Sequence, residues 1–166
     1  MKKTLIALLI AAMILCGSAL ANEGVSLTNP WTKTNPESIE RMLGTPVKLP
    51  EEASDVVWMG IADVKLAEIQ FTLDRMEYTL RIQPTEAFED ISGLYYDWEN
   101  INQDFTIGGC PGWEARIYDE DLETTIDLCL WYDAGKKLMY ALSTSGPDHL
   151  NGFDITAVAQ QIYPPA

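Results

Sequence analysis

Histidine is almost missing from this sequence: His149 is the only one. Cysteine is scarce as well, at Cys16, Cys110 and Cys129, and once the N-terminal segment that carries Cys16 is cleaved, two thiols and one histidine cannot supply the four nitrogen and sulfur ligands of a structural zinc site. C-x-x-C does not occur, which removes the common redox dithiol. G-x-S-x-G does not occur either, which removes the sharp turn that exposes a nucleophile in many hydrolases. No apolar run approaches the ~18–20 residues that span a bilayer. Positive charge is short too, with 11 Lys and Arg against 25 Asp and Glu and a formal charge of −14. A surface that acidic repels nucleic acid and anionic lipid, which sets both aside as partners and leaves a protein or glycan ligand open. By itself the charge does no more than keep the chain soluble. No cofactor signature is present.

What is there begins at the N-terminus. Met1-Lys2-Lys3 precedes a 12-residue apolar run, Leu5 to Cys16, and then Gly17-Ser18-Ala19-Leu20-Ala21. That is the order of a secretory signal peptide, with cleavage expected after Ala21. Cys16 raises the alternative of a lipoprotein anchor. That chemistry needs a small residue before the cysteine, and Leu15 stands there, so secretion to the cell exterior is the reading. Loss of residues 1–21 leaves 145 residues, nine basic and 25 acidic, with a formal charge of −16. That length suits one domain. Residues 22–34 are polar and aperiodic and read as a flexible tether with one anchor at Trp31; residues 35–166 read as the domain.

Asn35-Pro36 starts a short helix, since Asn caps free N–H groups and Pro suits the first helical position. Ile39, Met42 and Leu43 form its apolar stripe and Gly44 closes it. Val56 to Ile61 reads as a strand. Glu68–Leu73 and Glu77–Ile82 alternate apolar and polar residues around Asp74-Arg75-Met76, a hairpin with one buried and one wet face. Thr85 to Ile91 reads as one or two helical turns, Leu94 to Trp98 as a strand, and Asn100 to Asp104 as a turn before a brief strand at Phe105–Ile107. Gly108-Gly109-Cys110-Pro111-Gly112 turns sharply and is unsuited to a central ladder. Trp113–Tyr118 and Thr124–Trp131 pair around Asp119-Glu120-Asp121, and Lys136–Thr144 is the last strand, with Leu138, Tyr140 and Leu142 toward the core. Asp154 caps a final helix whose stripe is Ile155, Val158, Ala159 and Ile162. Helix, many hairpin-joined strands, then helix is an α+β order. It predicts a twisted antiparallel sheet with both helices packed on one face.

The candidate chemistry is thin. His149 adjoins Asp148, with Ser143 and Ser145 nearby in sequence, but neighbours in sequence rarely form a triad, and a polar loop explains them as well. With 25 acids, some carboxylate pair always falls at a glycosidase spacing, so that signal carries nothing. Asp119-Glu120-Asp121-Leu122-Glu123 lacks the order of a calcium loop and reads as a solvated hairpin tip. Trp31, Trp58, Trp98, Trp113 and Trp131 suit either core packing or a sugar-binding face, and packing is preferred. Cys110 and Cys129 read as a structural disulfide. A hairpin turning between Asp119 and Glu120 sets them opposite each other, and the bridge would contribute roughly 3 kcal/mol.

Four segments carry a resemblance: Ala67-Glu68-Ile69-Gln70-Phe71-Thr72-Leu73, Glu77-Tyr78-Thr79-Leu80-Arg81, the run Phe88 to Trp98, and Asp127-Leu128-Cys129-Leu130-Trp131-Tyr132. Across residues 45 to 163 the chain resembles a family of extracellular domains of unknown function from secreted and membrane-anchored proteins of Gram-positive gut bacteria. The resemblance implies an envelope or secreted location and an α+β domain, with no established activity or cofactor and no functional residues to carry over. The expected role is a non-enzymatic binding or accessory domain. A carbohydrate-binding module and a small hydrolase are the alternatives. Signal cleavage is directly testable: intact mass of protein from its native host should give a chain starting at Asn22. A diacylglyceryl mass on a chain starting at Cys16 would overturn that expectation.

Overall fold

A computed structural model describes residues 29–146 and 153–163. The signal segment, Ala21, Cys16, Asp148 and His149 all lie outside those residues. Among the described residues the chain forms nine strands and two helices. These are β1 (Thr32–Lys33), α1 (Pro36–Leu43), β2 (Ser54–Ile61), β3 (Leu66–Leu73), β4 (Met76–Pro84), β5 (Glu99–Asn102), β6 (Thr106–Ile107), β7 (Cys110–Asp119), β8 (Thr124–Asp133), β9 (Leu138–Gly146) and α2 (Ile155–Ile162). The strand order is β1-β2-β3-β4-β9-β8-β7-β5, with β6 also on β7, and every pairing is antiparallel. A mostly antiparallel sheet with two helices is the α+β class the sequence predicts.

Both helices form where their caps and stripes place them. Asn35 Oδ1 accepts from the Ser38 N–H at 2.9 Å, and Gly44, at φ 75°, ends α1. Asp154 accepts from the Thr156 N–H at 2.8 Å, and Ile155, Val158, Ala159 and Ile162 of α2 are all buried. The β3–β4 hairpin follows its alternation, with Phe71 opposite Tyr78 and Ile69 opposite Leu80. Its turn is tighter than expected, two residues in which Asp74 and Arg75 both have positive φ (51° and 66°), the conformation that matches strand twist.

Two departures share one cause. The sheet centre is buried on both faces, so it does not have the single wet face that the β3–β4 alternation suggests. One core gathers Leu80, Leu142, Cys129 and Trp131 with Ile39 and Leu43 of α1 and the α2 stripe. A second lies on the other side, where Leu128, Leu130, Met139 and Ala141 are covered by Ile91, Trp98, Trp113 and Tyr132. Ile91 and Trp98 belong to the connection 85–98, a strap that runs over this face from β4 to the far edge. The helical turns expected at Thr85–Ile91 and the strand expected at Leu94–Trp98 are therefore absent. Local side-chain bonds hold the strap instead: Thr85 Oγ1 donates to the Ala87 carbonyl, Asp90 accepts from Ser92 N–H, and Ser92 Oγ accepts from Leu94 N–H. A segment lying on a face cannot join the ladder, and the strand begins only at Glu99.

Two boundaries move as well. Thr32 and Lys33, expected in the tether, pair with Gly60 and Met59 of β2. Cys110 to Gly112, which read as a sharp turn unsuited to a central ladder, open β7, with Cys110 and Pro111 on the two-residue strand β6 and only Gly112 reaching β8, opposite Trp131. The register is irregular at a left-handed residue toward each side of the sheet, at Asp55 (φ 51°) in β2, beyond the two residues that β1 covers, and at Asn100 (φ 47°) in the edge strand β5. Such bulges discourage edge-to-edge aggregation.

Arg81 ties the strap to the sheet. Its Nε donates to Glu68 Oε2 at 2.8 Å, its Nη1 donates to the Ser92 carbonyl at 2.6 Å, and its guanidinium lies 5.5 Å from the Trp31 ring centre. Gly93, at φ 70°, leaves that guanidinium its space, since a Cβ there would collide with it. Glu68 is 6% exposed, so loss of Arg81 would leave a buried carboxylate with only the Gln70 amide as donor and no counter-charge, and would leave the Ser92 carbonyl without that donor. Arg81→Ala should cost about 2–3 kcal/mol, and Arg81→Lys should recover less than half of it. Urea unfolding decides this, and an unchanged midpoint in Arg81→Ala would refute the role.

Candidate functional site

Two concave regions flank α2. The larger, about 430 Å³, lies near its start and is lined by Asn100, Glu114, Arg116, Asp127 and Asp154, among others. Its polar groups are largely committed to one another. Arg116 Nε donates to Asp127 Oδ1 at 2.7 Å and Nη2 to the Phe153 carbonyl at 2.9 Å. Asn102 donates to Glu114 at 2.8 Å, and Asp154 is the helix cap. This arrangement pins the segment entering α2.

The smaller cleft, about 260 Å³, lies at the other end of α2. Its walls come from five places in the chain: the extended residues 45–48 after α1, Gly108 in the β6–β7 turn, Lys136 in the β8–β9 turn, Tyr140 on β9, and Ile162 and Tyr163 at the end of α2. Tyr163 organises it. The Tyr163 hydroxyl donates to Asp133 Oδ2 in a short hydrogen bond and accepts from Lys136 Nζ at 2.9 Å. Lys136 also lies 3.4 Å from Asp133 Oδ2, while its backbone N–H donates to Asp133 Oδ1 at 3.0 Å. The Tyr163 ring meets Tyr140 edge-on at 5.2 Å, and Tyr140 stacks on Trp131 at 4.9 Å. Gly108, at φ 57°, packs against the Tyr163 ring so closely that a Cβ there would overlap it.

These contacts fix protonation. Burial, and then the bond to Asp133, push the Tyr163 hydroxyl far above its ordinary value. Burial also raises Tyr140, with Tyr163 beside it. Cys110 is raised, first by burial and then by Asp133. Burial alone would raise Asp133, but the Tyr163 and Lys136 hydrogen bonds prevail and hold it below its ordinary value. At neutral pH the region therefore presents protonated phenols and a thiol around one committed carboxylate.

Cys110 and Cys129 are free thiols, and the expected disulfide is not formed. The reason is register. Asp119 pairs with Thr124, so the β7–β8 loop holds four residues, 120–123, and Cys129 stands opposite Glu114. Four residues along a strand separate Cys110 from that position, about 13 Å at strand rise. Both lie against the same core, where burial drives Cys129 far up in pKa. The acidic tip is self-contained, since Asp119 Oδ1 accepts from the Asp121 and Leu122 N–H groups. Trp131 is fully buried, and Trp31, Trp58, Trp98 and Trp113 are half-buried. Trp98 and Trp113 meet at 87°, which is not the flat exposed pair of a sugar platform. Among the described residues no cluster of His, Cys, Asp or Glu is arranged to hold a metal, and no helix is long and apolar enough to cross a membrane.

The sequence names Cys110 and Tyr140 but does not bring them together, and it assigns Tyr163, Asp133 and Lys136 no role. One signal was available: Lys136-Lys137 is the sole adjacent basic pair after residue 21 of a very acidic chain. No family model matches the chain, and no curated protein or solved structure matches it.

The buried phenols make alkaline stability a test of this site. Tyr163 and Tyr140 are raised, and Tyr78, 2% exposed, is pushed up to about 12 by burial and by Asp74. Unfolded tyrosine titrates near 10. The fold favours the protonated form, so this stability is fully present below about pH 10 and is lost as pH rises through the folded values. The urea midpoint should fall between about pH 10 and 12, less steeply in Tyr163→Phe and Tyr78→Phe. A wild-type profile flat to pH 12 would contradict it.

Proposed function

We propose that the protein is a non-enzymatic binding domain that works outside the cytoplasm and takes a small ligand into the Tyr163 cleft. The observation that carries this reading is the state of Asp133. The carboxylate beside the cleft is already engaged by the Tyr163 hydroxyl and the Lys136 ammonium, so it is poorly placed to act as a base. The neighbouring phenols and the Cys110 thiol stay protonated at neutral pH, which suits fixed hydrogen-bond donors better than nucleophiles. The two helices then act together, sealing one sheet face and leaving this cleft open at the end of α2. An exterior location is supported by the Lys2-Lys3 start, the short apolar run, the Ala19-Leu20-Ala21 site and the resemblance to extracellular domains.

Ligand-observed NMR with a mixed library of neutral, anionic and cationic fragments tests the reading, with binding mapped on the protein's amide resonances. Bound fragments should perturb Thr45 to Lys48, Gly108 and Tyr163 and be recovered unchanged. Fragments gathering instead at Trp98 and Trp113 on the opposite face, or being chemically converted, would overturn it.

A further inference from the structure

We infer that the Tyr163 cleft selects a small oxyanion, a carboxylate or phosphate group on a short apolar body. This rests on the reading that the cleft binds a ligand at all. The argument begins with charge. The chain carries 25 acidic residues and 11 basic ones, yet this cleft is lined by Lys48 and Lys136 and by no Asp or Glu. The cleft at the other end of α2 has the reverse lining, Glu114, Asp127 and Asp154 around Arg116. The two clefts of one acidic molecule are thus sorted by sign.

Donor capacity points the same way. Lys48 makes no hydrogen bond or ion pair among the described residues, and neither does the Tyr140 hydroxyl. Asp133, the nearby acceptor, is spent on Tyr163 and Lys136. A cleft rich in donors and poor in acceptors recognises a group that only accepts. The two ammonium groups that line the cleft face Asp133 beside it and the roughly half-unit negative end of α2. Pro46, Val47 and Ile162 supply apolar wall for the rest of the ligand. The volume, about 260 Å³, falls below the ~300–1,000 Å³ typical of drug-sized sites, so that body is short.

The test is an amide-resolved NMR titration of the purified protein at low ionic strength with benzoate, inorganic phosphate and the uncharged isostere benzamide. Benzoate or phosphate should shift Gly108, Lys136 and Tyr163 saturably with a Kd on the order of millimolar, and added salt should weaken binding. Tighter phosphate would assign a phosphoryl ligand, and tighter benzoate a carboxylate with an apolar body. Lys48→Gln should weaken binding about tenfold, the scale of one charge-assisted hydrogen bond. That variant leaves the Asp133–Tyr163–Lys136 bonds untouched, so a folding defect cannot mimic the effect. If benzamide binds as tightly as benzoate, or Lys48→Gln changes nothing, the oxyanion inference fails while the cleft remains a binding site. If none of the three probes moves those amides, and the fragments do not either, both readings fail.

Discussion

Strand β9 runs down the middle of the sheet with Leu138, Tyr140 and Leu142 buried on one side and Met139 and Ala141 buried on the other. A strand in that position needs two covers, and the chain order supplies them. After β4 the chain does not pair with its neighbour but crosses to the far edge as the strap 85–98, then returns as β7, β8 and β9 to close against β4. The crossing covers one face. On the other side, apolar residues of both helices join the core around Leu80 and Trp131. Each large apolar side chain so buried contributes about 1.5–3 kcal/mol relative to exposure. Lifting either cover would forfeit several of these at once, so stability depends on whatever pins the covers down.

Those pins are the scarce cations. Arg81 holds the strap at the Ser92 carbonyl, and Lys137 holds its start through Glu86 at 2.6 Å. Arg116 holds the Phe153 carbonyl just before α2, and Lys136 holds Tyr163 just after it. The strap is therefore fastened at its start and its middle, and α2 at both ends, by basic residues that engage the carboxylates Glu68, Glu86, Asp127 and Asp133. The fasteners are unequal. The Lys137–Glu86 pair is open to water and adds little, whereas Glu68 and Asp127 are buried and would be costly to leave without their arginines. Lys48, exposed on the wall of the Tyr163 cleft, has no such structural duty.

The parts of the fold legible in the sequence are those governed by local rules. Asn35-Pro36 and Asp154 cap real helices because capping involves groups within three residues, and the β3–β4 hairpin shows because one face alternates cleanly. The strap was illegible for the converse reason. Leu94 to Trp98 has strand composition, and what keeps it out of the ladder is a surface built from β7, β8 and β9 later in the chain. The continuous apolar runs Leu128–Trp131 and Leu138–Leu142 were the available hint that both faces are covered. The Tyr163 cleft was less legible still, because five separated segments meet there and each looks ordinary alone.

The misplaced cysteines show how one unremarkable residue governs register. Three hairpins share a four-residue loop whose last member is left-handed: Lys65 (φ 52°), Glu123 (φ 49°) and Lys137 (φ 55°). A left-handed position ordinarily advertises itself as Gly or Asn, and none of these does. Reading Asp119-Glu120-Asp121 as the tip therefore gives a loop that is too short. Its length fixes which residues oppose, so the error passes undiminished along both strands. It arrives at Cys129 as Glu114 in place of Cys110. The same loop geometry at Lys137 has the opposite consequence for the cleft. It sets Asp133 opposite Leu138 and turns the chain so that the Lys136 N–H meets the Asp133 carboxylate. The carboxylate that receives Tyr163 is thus positioned by a backbone conformation that composition does not announce.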